Sequence, residues 1–296
     1  MSKQYFVGIG AQKAGTTWLG EYLDRHPQVG FSPVKELHYF DAIFLEKLCG
    51  FFNDDFRTQL RETLCDRKND LSDPGLIRYL RCLCLRLEMN ANPHRYNDYF
   101  DLLAEAGHRV FGEITPSYSM LAENGFRAIL ERYPDAKFIF ILRDPVDRYW
   151  SNLRFYETLY GTDAFNAREQ ALPGLSNPDF YLRTDYRRTL TELYKAVPVD
   201  RVCVVFYERL MNTDAHEGEL GKITAFQGID YIEGDLGNRV NMSKNMDIDR
   251  DNAIEIARKF SHVYDYVMQL PGMTLPDNWS RNMALVKRNS ESLRSR

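Results

Sequence analysis

The chain has 296 residues, of which 44 % are hydrophobic and 27 % charged, and a formal net charge of −4. That length and apolar content suit one large α/β domain, with or without an insertion, and the mildly acidic balance excludes global attraction to nucleic acid or an anionic membrane surface, so anion binding must be local. The five cysteines (Cys49, Cys65, Cys82, Cys84 and Cys203) include no C-x-x-C pair and point to neither a disulfide frame nor a metal site; no apolar run approaches the roughly 20 residues of a membrane span, and no signal-like segment precedes the first strand, so a soluble cytoplasmic chain is expected.

The apolar run from Tyr5 to Ile9 predicts a buried strand, a glycine-bearing turn follows, and Trp18, Leu19, Tyr22 and Leu23 recur at helical spacing. Gly10 and Gly15 let the backbone curl so that successive N–H groups point into one concavity at a helix start, a place for phosphate or sulfate. Gly10 to Thr17 keeps the G-x-x-x-x-G spacing of a nucleoside triphosphate loop, but Thr16 stands where that loop has lysine and the lysine has moved to Lys13. A dinucleotide fingerprint fails as well, because Lys13 occupies the place of its third glycine.

The stretch Gln12-Lys-Ala-Gly-Thr-Thr-Trp18 resembles the 5′-phosphosulfate loop of the sulfotransferases that use 3′-phosphoadenosine 5′-phosphosulfate (PAPS) and release adenosine 3′,5′-bisphosphate (PAP). The resemblance implies a P-loop-like central parallel sheet flanked by helices, an α/β fold, with Lys13, Ala14, Gly15, Thr16, Thr17 and Trp18 holding the donor. The segment Ser32 to Asp41 has two readings from its residues alone: a solvated turn into a helix, or an acid–base cluster of Lys35, Glu36, His38 and Asp41. Its K-E-x-H-Y-F-D order resembles the heparan sulfate 3-O- and N-sulfotransferase-like branch, in a bacterial form, and that likeness implies a catalytic carboxylate at Glu36 with His38 in support. His38 is the alternative base, since imidazole titrates nearer neutral pH.

From Ala42 to about Arg109, leucines and phenylalanines recur at helical intervals between breaks at Asn69-Asp70, Asp73-Pro74-Gly75 and Asn92-Pro93, which predicts a helical insertion of about 42–109 within a single domain spanning 1–296. Arg109 to Tyr118 predicts a short strand ending in a loop; the likeness puts Ile114 where relatives often carry lysine, so Lys35 is the nearest substitute, and Glu113 reads equally as a structural carboxylate or as a base, with Glu36 preferred for the latter. A helix through Phe126, Ile129 and Tyr133 stops at Pro134. The continuous apolar run Phe138 to Leu142 then predicts a parallel strand covered on both faces, with Arg143 at its carboxyl end, Asp144 as helix cap and Pro145 in the first turn.

The order R-D-P-x-x-R-x-x-S resembles the family segment that binds the 3′-phosphate, which implies that role for Arg143 and Ser151. Beyond it the sequence predicts a long loop from Tyr160 to Phe180, a helix from Tyr181 to Leu193, a strand over Arg201 to Leu210 with Glu208 structural, a late loop at Asn238 to Asn245 offering Lys244 and Arg239 to the nucleotide, a final helix from Ala253 to Met268, and a solvated basic tail. The activity implied is sulfuryl transfer from PAPS to a hydroxyl, with no divalent metal, no nucleic acid and no membrane span. A carbohydrate or glycolipid acceptor is expected, with a small secondary metabolite or phenol as the alternative. An NTP-dependent kinase and a non-catalytic nucleotide-binding module are the rival classes.

Overall fold

In the computed structural model, residues 4–45, 49–104, 107–237 and 248–294 are described. Five parallel strands form one sheet: β1 (Gln4–Gly10), β2 (Val29–Phe31), β3 (Val110–Ile114), β4 (Lys137–Leu142) and β5 (Val202–Phe206), in the order β2-β3-β1-β4-β5. Parallel strands need helical crossovers, and these cover both faces, which is why β1 and β4 are apolar almost throughout. Helix α1 (Thr16–Arg25) returns the chain from β1 to β2, α6 (Glu123–Arg132) carries it from β3 over β1 to β4, and α7 (Pro145–Tyr160), α8 (Pro178–Leu182) and α9 (Tyr186–Ala196) lead on to β5. The connections from β1 and β4 therefore leave in opposite directions, and the crevice between their carboxyl ends is the switch point at which open α/β sheets bind ligands.

Between β2 and β3 stand α2 (Phe40–Phe44), α3 (Cys49–Cys65), α4 (Pro74–Glu88) and α5 (Arg95–Leu103). Asp73 caps α4 through the Gly75 and Leu76 N–H groups, and Pro74 occupies the first turn. Arg86 is the side chain by which α4 holds the segment before α2. Fully buried, it donates to the carbonyls of Leu37 and His38 and, at 3.4 Å, to Asn53 Oδ1, with its guanidinium 4.5 Å over the Phe56 ring. Tyr96 of α5 reaches the sheet, donating to Glu113 Oε1 at 2.7 Å; Tyr118 and Thr115 donate to the same carboxylate, at 3.1 and 2.6 Å. Burial raises the Glu113 pKa, and three hydroxyl donors surround it, which favours the structural of the two readings its sequence context left open.

Four stretches differ from the sequence expectation. The Tyr160 to Phe180 loop carries a 3₁₀ turn at Pro173–Ser176 and buries Ala167, Ala171 and Phe180, so it is anchored to the body at those points. The predicted 181–193 helix is two helices, α8 and α9, parted at 183–185 where Asp185 caps the second through the Arg188 N–H. After α10 (Tyr207–Leu210) and α11 (His216–Gln227), the predicted 253–268 helix is α12 (Arg250–Lys259) and α13 (Ser261–Met268), broken at Phe260. The basic tail is a helix, α14 (Asp277–Arg294), pinned by fully buried Trp279 and by Asn282, whose amide donates to Asp144 Oδ1 at 2.9 Å. Its charge had masked it, and one buried tryptophan anchors it. No helix among the described residues is long and apolar enough to cross a membrane.

Removing the Arg86 guanidinium leaves two carbonyls in buried surroundings without donors. Arg86→Met is expected to lower unfolding stability by about 2–3 kcal/mol, read as a fall in the urea midpoint at constant m-value. An unchanged midpoint would show that the clamp contributes nothing.

Candidate active site

Strands β1 and β4 are hydrogen-bonded neighbours (Gly10 opposite Phe140), and the Ala11 N–H continues the ladder by donating to the Ile141 carbonyl at 2.8 Å. Whatever follows each strand must therefore meet. After β1 the chain turns through Gly10 at φ 137° and Gly15 at φ 79°, and a Cβ at Gly15 would lie 3.0–3.1 Å from Met211 and Tyr207, so the turn needs glycine on both counts. Gly15 caps α1 without any side-chain bond, and Leu19 makes the first intrahelical N–H contact, to the Gly15 carbonyl. The N–H groups of Thr16, Thr17 and Trp18 thus open a helix whose start is left for a ligand. The Ala14 N–H is used internally, donating to the Ala11 carbonyl at 3.2 Å. At α7 the opposite holds, because Asp144 takes the Val146 and Asp147 N–H groups at 2.9 and 3.1 Å.

After β4, Arg143 donates from Nη1 to the Lys13 carbonyl at 2.7 Å, and its guanidinium lies 4.7 Å over the ring of Tyr207. Lys13 extends toward α7, its Nζ 4.7 Å from the ring centroid of Phe155. Burial lowers the Lys13 pKa, and repulsion from Arg143, Lys35 and Arg148 adds to it while Glu36 opposes it. Two cationic segments distant in sequence thus form one cradle.

Glu36 and His38 lie beside it. His38 Nε2 is 3.3 Å from Glu36 Oε2, its Nδ1 is 2.7 Å from Asp41 Oδ2, and its ring is stacked on Phe52 with centroids 3.5 Å apart. Ser117 donates to the same Asp41 oxygen. Burial works against a charged imidazole here, yet hydrogen bonds and charge from Asp41 and Glu36 outweigh it and bring the His38 pKa up to about 9. The imidazolium is held between two carboxylates, with Glu36 the more exposed of them. Among the described residues, the non-glycine residues with positive φ are Lys13 (67°), Glu36 (52°) and His38 (47°). Each such conformation costs on the order of 1–3 kcal/mol and persists only where the surroundings impose it. A cavity of about 210 Å³ opens at Glu36, walled by Thr16, Thr17, Phe31, Lys35, Ile114 and Pro116 among others.

Of the residues singled out in the sequence, Lys13 to Thr17, Arg143, Lys35, Glu36 and His38 gather around one crevice, and Ser151 is buried on α7 two turns beyond Arg143. Trp18 serves the neighbouring segment: its indole N–H donates to the Asp235 carbonyl at 2.7 Å and its ring packs against Tyr22, His216 and Gly234. Lys244 and Arg239 lie outside the described residues. Sequence reasoning missed Ser117, Phe52, Phe155 and Arg86. Only Ser117 sat in a motif already marked; the other three are placed by tertiary packing, for which one sequence offers no signal.

With this geometry in hand, comparison with known proteins is specific. Residues 6–233 match the family model described as the Sulfotransferase family. The membrane-associated sulfotransferase kil1 of Dictyostelium discoideum is 25 % identical over 150 residues, 51 % of this chain but only 22 % of that protein's length. The crystal structure of a sulfotransferase from Alicyclobacillus acidocaldarius superposes with a TM-score of 0.64 at 21 % identity, covering 95 % of this chain and 100 % of that one, which establishes a shared fold.

The raised His38 pKa fixes the sign of a pH effect. Folding stability from the charged imidazole is present in full below its ordinary value near 6.5 and is lost as pH rises through about 9. The wild type should therefore lose stability relative to His38→Gln over that window, and NMR of the ring should give a midpoint near 9. A midpoint near 6.5 would refute the carboxylate clamp.

Proposed function

The chain belongs to the sulfotransferase family, and on that footing we propose that it transfers a sulfuryl group from PAPS to an acceptor hydroxyl and releases PAP. The observation that carries this reading is the hydrogen bond from Arg143 Nη1 to the Lys13 carbonyl, which joins the segments that would grip the two anionic ends of one donor molecule. The fit is supported by the uncapped start of α1 and by the concentration of Lys13, Lys35, Arg143 and Arg148 within electrostatic reach of one another.

In this reading the donor supplies an activated sulfuryl group, and the protein's work is positioning and charge stabilisation. The acceptor oxygen forms the new bond to sulfur as the bond to the 5′-phosphate oxygen breaks, and the acceptor proton passes to Glu36. Lys13, with the N–H groups of Gly15, Thr16 and Thr17, stabilises the negative charge on the departing phosphate. Arg143 and Ser151 hold the 3′-phosphate, Trp18 orders the segment beside the nucleotide, and Lys244, outside the described residues, is assigned to the same phosphate. His38 fits a positioning role better than that of base, because an imidazolium clamped by Asp41 is poorly placed to accept a proton near neutrality and well placed to aim the Glu36 carboxylate. A sulfuryl group carries less charge than a γ-phosphate, so these cations suffice without a divalent metal. Residues 1–296 act in this proposal as one cytoplasmic unit, with the helices between β2 and β3 shaping the acceptor side. The 210 Å³ cavity, with the Phe31 and Pro116 rings beside Lys35 and Glu36, suits one sugar residue or a small polar alcohol.

Lys13→Ala should lower kcat by about 10²–10³-fold, and Glu36→Gln should slow transfer by about 10²–10⁴-fold with PAP affinity unchanged. Arg143→Ala should act mainly on nucleotide affinity. Radiolabelled PAPS offered with panels of oligosaccharides and small alcohols tests the acceptor class. Wild-type rates in both Lys13→Ala and Glu36→Gln would remove the mechanism.

A further inference from the structure

Two arginines of the described residues are fully buried, and their surroundings differ sharply. Arg86 has three hydrogen-bond acceptors and an aromatic ring. Arg148, on α7, has one: Nη2 donates to the Phe180 carbonyl at 3.2 Å, while Nε and Nη1 have no partner and no carboxylate meets them among the described residues. Four residues further along the helix, Asn152 is fully buried with both side-chain polar atoms unpartnered. Positions 148, 151, 152 and 155 form one face of α7 by helical spacing, and that face carries Ser151 and ends at Phe155, against which the Lys13 ammonium lies. A buried guanidinium without a counter-charge is costly. Burial pulls the Arg148 pKa down to about 10, with repulsion from Arg183 and Arg143 adding to it while Tyr186 and Tyr149 oppose it.

We infer that Arg148 and Asn152 complete the phosphomonoester site begun by Arg143 and Ser151, with the 3′-phosphate of the donor accepting from Nε and Nη1 of Arg148 and from the Asn152 amide. The inference rests on the PAPS reading and assigns residues that the sequence motif left without a role. It also supplies a source of selectivity. A terminal phosphate offers a divalent charge and several acceptor oxygens to two guanidinium groups, whereas a ribose 3′-hydroxyl would leave both nitrogens of Arg148 as they are; a site built around hydrogen bonds rejects an analogue that lacks them far more strongly than an apolar pocket does. The bond to Phe180 explains one nitrogen of Arg148 as a structural tether and leaves the other two for the ligand.

The test compares adenosine 3′,5′-bisphosphate with adenosine 5′-monophosphate by titration calorimetry, alongside unfolding temperatures without ligand. Wild type should prefer the bisphosphate by about a hundredfold or more. In Arg148→Met that preference should fall by about tenfold or more while monophosphate affinity stays within about twofold, and the free protein should melt no lower, since an uncompensated buried charge has gone. Arg148→Lys, which keeps a charge but loses the fork, should lie between them. Should Arg148→Met fail to fold, Arg148→Lys and Asn152→Leu carry the measurement. An unchanged bisphosphate preference in the folded variants would overturn the inference and leave Arg148 a tether to Phe180. A wild type that binds both nucleotides equally would instead refute the PAPS reading.

Discussion

The pairing of β1 with β4 is the constraint from which the site follows. Because the two strands run parallel and side by side, with Ala11 donating to Ile141 at the last rung, the turns that leave them cannot avoid each other. The contact of Arg143 with the Lys13 carbonyl is the continuation of that ladder by a side chain. Its effect is electrostatic as well as geometric: it brings a permanent cation beside an ammonium already partly desolvated, which an anion bridging the two relieves. Strand order thus sets the charge distribution, and the charge distribution sets what kind of molecule the crevice attracts.

The left-handed backbone at Lys13, Glu36 and His38 shows where local preference has given way to the demands of the site. Positive φ is uncommon for lysine and glutamate and, though more frequent for histidine, is a minority conformation for all three. Two of the three are held by contacts that cannot relax independently: Lys13 by the strand ladder and Arg143, His38 by Asp41, Phe52 and the hold of Arg86 on its own carbonyl. Strain of this kind keeps a small set of side chains in one orientation before any ligand arrives, and preorganisation of that sort is where electrostatic catalysis draws its advantage.

Much of this was legible in the sequence, for identifiable reasons. Strands such as Phe138 to Leu142 announce themselves because both faces are covered, and the Gly10 to Thr17 turn does so because the φ angles and close approaches at Gly10 and Gly15 call for glycine. The likeness of that turn to the family's phosphosulfate loop therefore carried the fold class and half of the cradle. The helices of the second half were blurred at 183–185 and at Phe260, where the apolar period continues across a break that is made by capping rather than by proline or glycine. Arg86 and Arg148 looked like ordinary charged residues on amphipathic helices. What distinguishes them is the presence or absence of acceptors supplied by distant parts of the chain, and a linear pattern does not record that. His38 was legible as a member of the cluster but not in its protonation, which depends on two carboxylates closing on it from either side.

The clamp from α4 also bears on how such a scaffold diversifies. The helices between β2 and β3 look like the natural place for such a scaffold to vary, since they leave the sheet alone. Yet the guanidinium that fixes the carbonyls of Leu37 and His38 belongs to those same helices. Exchanging them wholesale for another set would unmoor the Leu37–His38 segment, so variation is more accessible through piecemeal change around a retained arginine than through modular grafting.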